Sequence, residues 1–290
     1  MRTGGRMTAV GDLLELWWVV PAAWVVVGHV LSWLGLSPAQ RAVWATARIV
    51  RVEQPAHGAS KQPGIPVTLA FRDPSTGREF TLPNTGRHGV AVREAWVGRE
   101  LEVRYPRGRP DRFRVVFDPD EKKGRTGPHC ALVLLLVGLV IHTAVARGFP
   151  WALLGFGALL VVAAAVSPDI RLARARDALL ASAVAVPARV VSVTRDVYTD
   201  GEGAEIVNHA PVITFTTREG TDVTVLCLDG IPDPRRSLGR ALTLHYAPSD
   251  PAVYTPDPAA DRRSNERAIG AIVLLAVAGV AGIVAGAVTL

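Results

Sequence analysis

The sequence predicts an α+β membrane protein with four transmembrane helices and two small antiparallel β-domains, each a barrel or sandwich, in tandem repeat. Three observations predict it. Apolar residues gather in four blocks, the segments between them alternate with a period of two, and the same marks occur twice along the chain. The 290 residues are 49% hydrophobic and 20% charged, with a mean hydropathy of +0.25. That much Val, Leu and Ala excludes a disordered chain. Its concentration in blocks excludes a soluble enzyme with one large core.

The apolar blocks cover residues 13–36, 130–145, 151–166 and 268–290. A bilayer crossing takes about 20 mostly apolar residues. The first and last blocks meet that length alone, and the middle two reach it with their flanks, at 128–147 and 149–168. Residues 146–150, Ala-Arg-Gly-Phe-Pro, form a tight turn, so the middle spans make a helical hairpin. Trp17, Trp33 and Trp151 stand near block ends, at the headgroup level that indole rings favour. The first block is read as a retained span. Its apolar run is too long for a signal peptide, and Asp12 and Glu15 disrupt a positive leader. The expected organisation is a tail and first helix (1–36), a first β-domain (37–127), a second helix (128–147) and a third (149–166). A second β-domain with an extra N-terminal helix (167–267) and a fourth helix (268–290) follow.

Four spans place both β-domains on one side. Twelve basic residues flank the spans there: Arg41, Arg48, Arg51, Lys122, Lys123, Arg125, Arg171, Arg174, Arg176, Arg262, Arg263 and Arg267. Three, Arg2, Arg6 and Arg147, flank them on the other side. The positive-inside bias therefore predicts a multi-pass cell-membrane protein with cytoplasmic soluble domains. The net charge of +6 raises a nucleic-acid reading, but the arginines gather at span flanks, where anionic lipids attract them. The expected partners are the lipid bilayer and an unknown protein partner or self-association, with no nucleic acid.

The repeat is read from matching residues. Ser37-Pro38 with Arg41 matches Ser167-Pro168 with Arg171, at an offset of 130. Ala47-Arg48-Ile49-Val50 matches Ala188-Arg189-Val190-Val191, at an offset of 141, so the second copy carries about eleven extra residues after its span. Those residues, 168–181, start with Ser167 as an N-cap and a proline in the first turn. With Leu172, Ala175 and Leu179 on one face and Arg171 and Arg174 on the other, they form either a surface helix or a bent continuation of the third span.

Strands are predicted at 46–52, 67–71, 79–82 and 101–105, and again at 187–194, 212–216, 222–226 and 241–246. Turn residues Asp73-Pro74-Ser75-Thr76-Gly77 and Thr217-Arg218-Glu219-Gly220 join the second and third strands of each copy. Pro-rich exits at 107–111 and 248–251 close each domain.

The last strand of the first copy carries Val97-Gly98-Arg99-Glu100-Leu101-Glu102-Val103-Arg104-Tyr105-Pro106. The second copy carries Leu238-Gly239-Arg240-Ala241-Leu242-Thr243-Leu244-His245-Tyr246-Ala247-Pro248, with Leu for both valines. With the Ala-x-x-Val first strand and the strand–turn–Gly–strand hairpin, this resembles the bacterial membrane family of domain of unknown function 3592 (DUF3592). The resemblance implies transmembrane helices paired with a small β-domain, and it brings no activity with it.

Reactive constellations are sparse. No P-loop, dinucleotide fingerprint, His-Glu-x-x-His or Gly-x-Ser-x-Gly occurs. His29, His57, His88, His129, His142, His209 and His245 show no metal-ligand spacing, and adjacent His129 and Cys130 do not share a helix face. His29 and His142 lie inside spans without charged partners there, which favours hydrogen bonding across helices over a proton relay. Cys130 and Cys227 are not expected to bridge. Asp196, Asp200, Glu202 and Glu205 lack the order of a Ca²⁺ loop and read as an exposed loop. Asp118, Asp120 and Glu121 beside Lys122 and Lys123 read as a solvated linker. Tyr105 and Tyr246 recur at equivalent places and read as packing residues. Gly282 and Gly286 form a small-xxx-small face for span one or three of the same chain, or for a second copy. No catalytic residue, cofactor or metal ligand is assigned. The function expected is a non-catalytic membrane-anchored binding or scaffold module. The alternative is a small transporter or channel-like component, which the parallel repeat favours.

Overall fold

A computed structural model describes residues 17–60, 64–85, 91–117, 122, 126–201 and 203–290. The start of the first span, Arg2, Arg6, His88, Asp118, Asp120, Glu121, Lys123, Arg125 and Glu202 lie outside the described residues. The chain forms two compact units. A helical unit comprises Met1–Arg41, Asp120–Ile170 and Arg267–Leu290, and a β unit comprises Ala42–Pro119 and Arg171–Glu266. The two expected β-domains thus fall within one unit.

The helices are α1 (Val19–Trp33), α2 (Pro38–Arg41), α3 (Thr126–Arg147), α4 (Phe149–Val166), α5 (Asp169–Leu180) and α6 (Pro258–Val288). Among the described residues three stretches are long and apolar enough to cross a membrane: Pro128–Arg147, Phe149–Leu180 and Pro258–Val288. Four were expected. The described part of α1 has 15 residues, or about 22 Å of helix. A hydrocarbon core is about 30 Å thick, and residues 13–16 lie outside the described residues. The α3–α4 turn is as expected. Gly148 takes a positive φ of 95° and Pro150 sits in the first turn of α4. α4 stops at Ser167, whose extended backbone precedes Pro168, and the Ser167 hydroxyl then accepts the Asp169 N–H at 3.3 Å. Residues 169–180 are therefore a separate helix. In the β unit Leu172 is 63% exposed, Ala175, Arg171 and Arg174 are exposed, and Arg176 is half-buried. The last helix also begins at Pro258, before residue 268, because residues 258–267 contain no helix breaker after the proline.

Close backbone approach holds α4 to α6. A methyl at Gly157 would stand 2.6 Å from the Gly279 carbonyl oxygen and 2.8 Å from Ile283 N. One at Gly286 would meet the Pro150 carbonyl at 2.8 Å. The glycine face of the last span thus packs on span three. α1 and α3 meet instead through side chains, with the Pro128 ring against Gly28 and the Trp17 indole against Gly138.

The β unit has two antiparallel sheets. The strands are β1 (Val43–Val52), β2 (Val67–Arg72), β3 (Glu79–Pro83), β4 (Glu94–Ala95), β5 (Glu100–Tyr105), β6 (Arg114–Val116), β7 (Val184–Thr199), β8 (Glu205–Thr216), β9 (Asp222–Leu226), β10 (Ala241–Ala247) and β11 (Asp250–Thr255). One sheet has the order β3-β2-β1-β5-β6, the other β11-β10-β7-β8-β9-β4. Alternation drives both. Ala47 and Ile49 are buried between exposed Arg48 and Val50, and Val184, Val186, Ala188 and Val190 are buried along β7. The ladders share details. β1 pairs β2 with a bulge between Ile49 and Arg51, and β7 pairs β8 with one between Val190 and Ser192. Gly98 and Gly239, at φ 94° and 77°, donate to the bulge carbonyls of Ile49 and Val190 at 2.8 and 2.9 Å.

Four departures from the predicted strands have local causes. β6 forms just past the first Pro-rich exit and β11 within the second, where no strand was expected, because Val115-Val116 and Val253-Tyr254-Thr255 favour extended backbone. β4 leaves the first half's sheet and pairs with β9, through Glu94↔Val225 and Ala95↔Thr224. The acidic loop is mostly strand: β7 runs to Thr199 and β8 starts at Glu205, leaving a turn at 200–204. The first half's core is completed by the second. Ala210, Val212 and Leu226 belong to the cluster of Ile49, Leu69 and Phe71.

Candidate functional site

A cleft of about 430 Å³ in the β unit is built where β4, the end of β9, β11, the second half of α5 and the start of α6 converge. Its size lies in the range of small-ligand sites. Arg176 of α5 closes one wall. Its Nη2 and Nε donate to the two Asp261 carboxylate oxygens at 3.0 and 3.2 Å, and Nη2 also donates to the Tyr254 carbonyl at 2.7 Å. A second link joins the same helices, with Asn265 Nδ2 donating to Asp177 Oδ1 at 2.7 Å. Asp257 caps α6 by accepting the N–H groups of Ala259 and Ala260, each at 3.0 Å.

On the opposite wall Glu94 pairs with Arg99 at 3.4 Å, and the guanidinium also donates to the Glu94 carbonyl and lies 4.7 Å over the Trp96 ring. Burial raises the Glu94 carboxyl above its ordinary range, partly opposed by Arg99. The Tyr254 hydroxyl donates to the Leu226 carbonyl at 3.2 Å, and burial pushes its phenol up. The Cys227 thiol donates to the Asp229 carbonyl at 2.9 Å and is pushed up to about 11 by burial. A thiol so placed is protonated at neutral pH, and the thiolate is the nucleophilic form. The cleft offers paired charges and hydrogen-bonding groups on an apolar floor. Such a wall can recognise a ligand or a segment of chain.

The predicted residues are placed as follows. Cys130 and Cys227 are both free. His29 Nδ1 donates to the Val25 carbonyl at 2.8 Å, and its ring centroid lies 5.7 Å from that of His129. The sequence reading left His29 alone, because the two histidines are 100 residues apart and meet only through α1–α3 packing. His142 lies 6.4 Å from Trp17 between ring centroids. His245 is half-buried, and its buried Nδ1 has no hydrogen-bond partner among the described residues. Asp196, Asp200 and Glu205 do not converge; Asp200 Oδ1 instead accepts the Ala204 N–H at 2.8 Å to close the hairpin turn. Among the described residues no group of three metal-ligating side chains occurs.

Tyr105 and Tyr246 sit at matching ladder positions, opposite Val43 and Val184, with Phe71 and Phe215 rings 5.5 and 5.4 Å away. Their hydroxyls differ. Tyr246 Oη accepts the Arg218 N–H at 2.9 Å. The corresponding residue beside Tyr105 is Pro74, which has no N–H, and Tyr105 Oη is buried without a partner at hydrogen-bond geometry. Burial, and secondly the neighbouring Asp73 carboxylate, push the Tyr105 phenol up. Arg176–Asp261 and Glu94 escaped the sequence reading, since one needs the α5–α6 contact and the other the crossing of β4 between sheets. No protein-family model, curated protein or solved structure matches this chain.

Proposed function

We propose that the chain is a multi-pass cell-membrane protein whose β unit is a non-catalytic binding or scaffold module for a protein partner or a second copy. The observation that carries this reading is the state of the cleft. Its Arg176 is held by Asp261, its Glu94 is paired with Arg99, and its thiol is kept protonated, so these groups serve as a fixed recognition surface. The three helices among the described residues that are long and apolar enough to cross a bilayer support the anchoring. The positive flanks support a cytoplasmic β unit. The matched bulges, glycines and Tyr–Phe pairs support a tandem duplication, and the motif ending in Tyr105-Pro106 supports kinship with the DUF3592 family.

The test is cross-linking in intact membranes followed by purification of the full chain. A reproducible partner or homodimer is expected, and recovery of the monomer alone overturns the binding role. Sidedness is read with Ser75→Cys, which lies in an exposed turn. An impermeant maleimide added to whole cells should leave it unlabelled, and labelling reverses the orientation.

A further inference from the structure

A second cleft, about 310 Å³, lies beside the long β7–β8 hairpin and is lined by His57, Val193, Arg195, Val207, His209 and Arg235 with the backbone of Gly58. Two separate stretches of chain build it. The loop after β1 is fastened to β7 by Gly58 N–H to the Val193 carbonyl and by Arg195 N–H to the Ala59 carbonyl, each at 2.8 Å. His57 Nδ1 accepts the Val193 N–H at 3.3 Å. That bond leaves the proton of a neutral imidazole on Nε2, as a donor. Arg195 and His209 stand directly opposite on the hairpin ladder, so their side chains share one face.

The charge balance of this cleft is one-sided. Among the described residues it has two guanidiniums, two imidazoles and no carboxylate in its lining. The nearby acids are engaged elsewhere. Asp196 accepts the Ser60 hydroxyl, and Asp233 faces Arg236 at 3.9 Å. Arg195 and Arg235 have no ion pair among the described residues, whereas Arg51, Arg99, Arg176, Arg236 and Arg262 each have one. Two guanidiniums lining one cleft repel, and an oxyanion between them reverses the sign of the interaction. Guanidinium forks match the oxygen spacing of a phosphate, and Val193 and Val207 supply an apolar wall for an attached organic group.

We propose that this cleft binds a phosphate group, carried either by a small phosphomonoester or by a phospholipid headgroup. Arg195 and Arg235 clamp the oxygens, and His57 and His209 donate from the sides. The site goes beyond the partner-binding reading above, and each can fail without the other, since one test reads a protein partner and the other a phosphate. The full chain is purified in a maltoside detergent, which carries no phosphate, and titrated with inorganic phosphate by calorimetry. Saturable binding is expected, weakened at least tenfold in the Arg195→Gln, Arg235→Gln double variant and unchanged in Arg51→Gln. An unchanged melting temperature of the double variant shows that the fold is retained. Competition separates the sources. Glycerol 3-phosphate displaces inorganic phosphate if the ligand is soluble, and only a short-chain phosphatidic acid does so if it is a lipid. No saturable binding of phosphate, or equal binding by wild type and double variant, overturns the proposal.

Discussion

The two halves of the β unit follow one plan and diverge at single residues. In both, a strand starting at Val43 or Val184 faces a tyrosine, bulges six residues later, and is braced there by a positive-φ glycine. The connections differ. Gly58 and Ala59, after β1, bond back to β7, while β7 and β8 run on as a hairpin as far as Thr199 and Glu205. Folding back creates a cleft against the extended hairpin, which neither half would have alone. The phenols differ because Pro74 cannot donate where Arg218 does. The helices differ too: α1 meets α3 through side chains, and α4 meets α6 backbone to backbone. The shared plan lies in the ladders, and the differences arise where one residue removes a donor or a Cβ.

The largest expected effect tests the helix pairs. Gly157→Ala drives a methyl against a fixed carbonyl and should cost about 2 kcal/mol. Gly28→Ala meets only the edge of the Pro128 ring and should cost about 1 kcal/mol. Melting in detergent reads both, and equal costs would erase the distinction between the pairs.

Next comes α5, the element that the first half lacks. Arg176→Ala should cost about 2 kcal/mol, since it removes a bidentate pair and a carbonyl contact and leaves Asp261 half-buried and unpaired. Arg176→Lys should restore less than half, because an ammonium cannot span both oxygens. Full restoration by lysine would show that charge alone matters there.

The tyrosines give a smaller and sharper contrast. Tyr246→Phe strands the Arg218 N–H and should cost about 1 kcal/mol. Tyr105→Phe removes a hydroxyl that has no partner at hydrogen-bond geometry, only the nearby Asp73 carboxylate, and should cost less than Tyr246→Phe. Equal losses would show that the two sites are equivalent despite Pro74.

The smallest effect is one of pH. Burial raises Glu94, so the folded state binds its proton more tightly than the unfolded chain does. The stability this contributes is present at pH below the usual carboxylate range and is lost as pH rises through the raised value. Glu94→Gln should therefore melt above wild type at pH 7.5, with the gap closing as pH falls toward 4. A gap that widens in acid would reverse the sign.

Much of this was legible in the sequence. Asp222–Leu226 matches its predicted bounds, and the β1 and β7 cores follow from alternating Val, Ala and Ile. What was not legible is non-local. β4 is two residues long and owes its place to Val225 and Thr224, far along the chain. Arg176 reads as a surface residue until α6 brings Asp261 to it. The hairpin past residue 194 could have been read, since Val197, Tyr198, Ile206 and Val207 favour strand, but the acids among them masked the pattern.

The central claim is that the two halves share one core, which Val212 tests most directly. It lies on β8, fully buried in the cluster of Ile49, Leu69 and Phe71. Val212→Ala should cost about 2 kcal/mol. Hydrogen exchange of the full chain in detergent then reads where the loss falls. The account predicts that amides of β1 and β2 lose protection together with those of β7 and β8, by about tenfold or more. Loss confined to β7–β9, with β1 and β2 unchanged, would mean two separate domains and would contradict it.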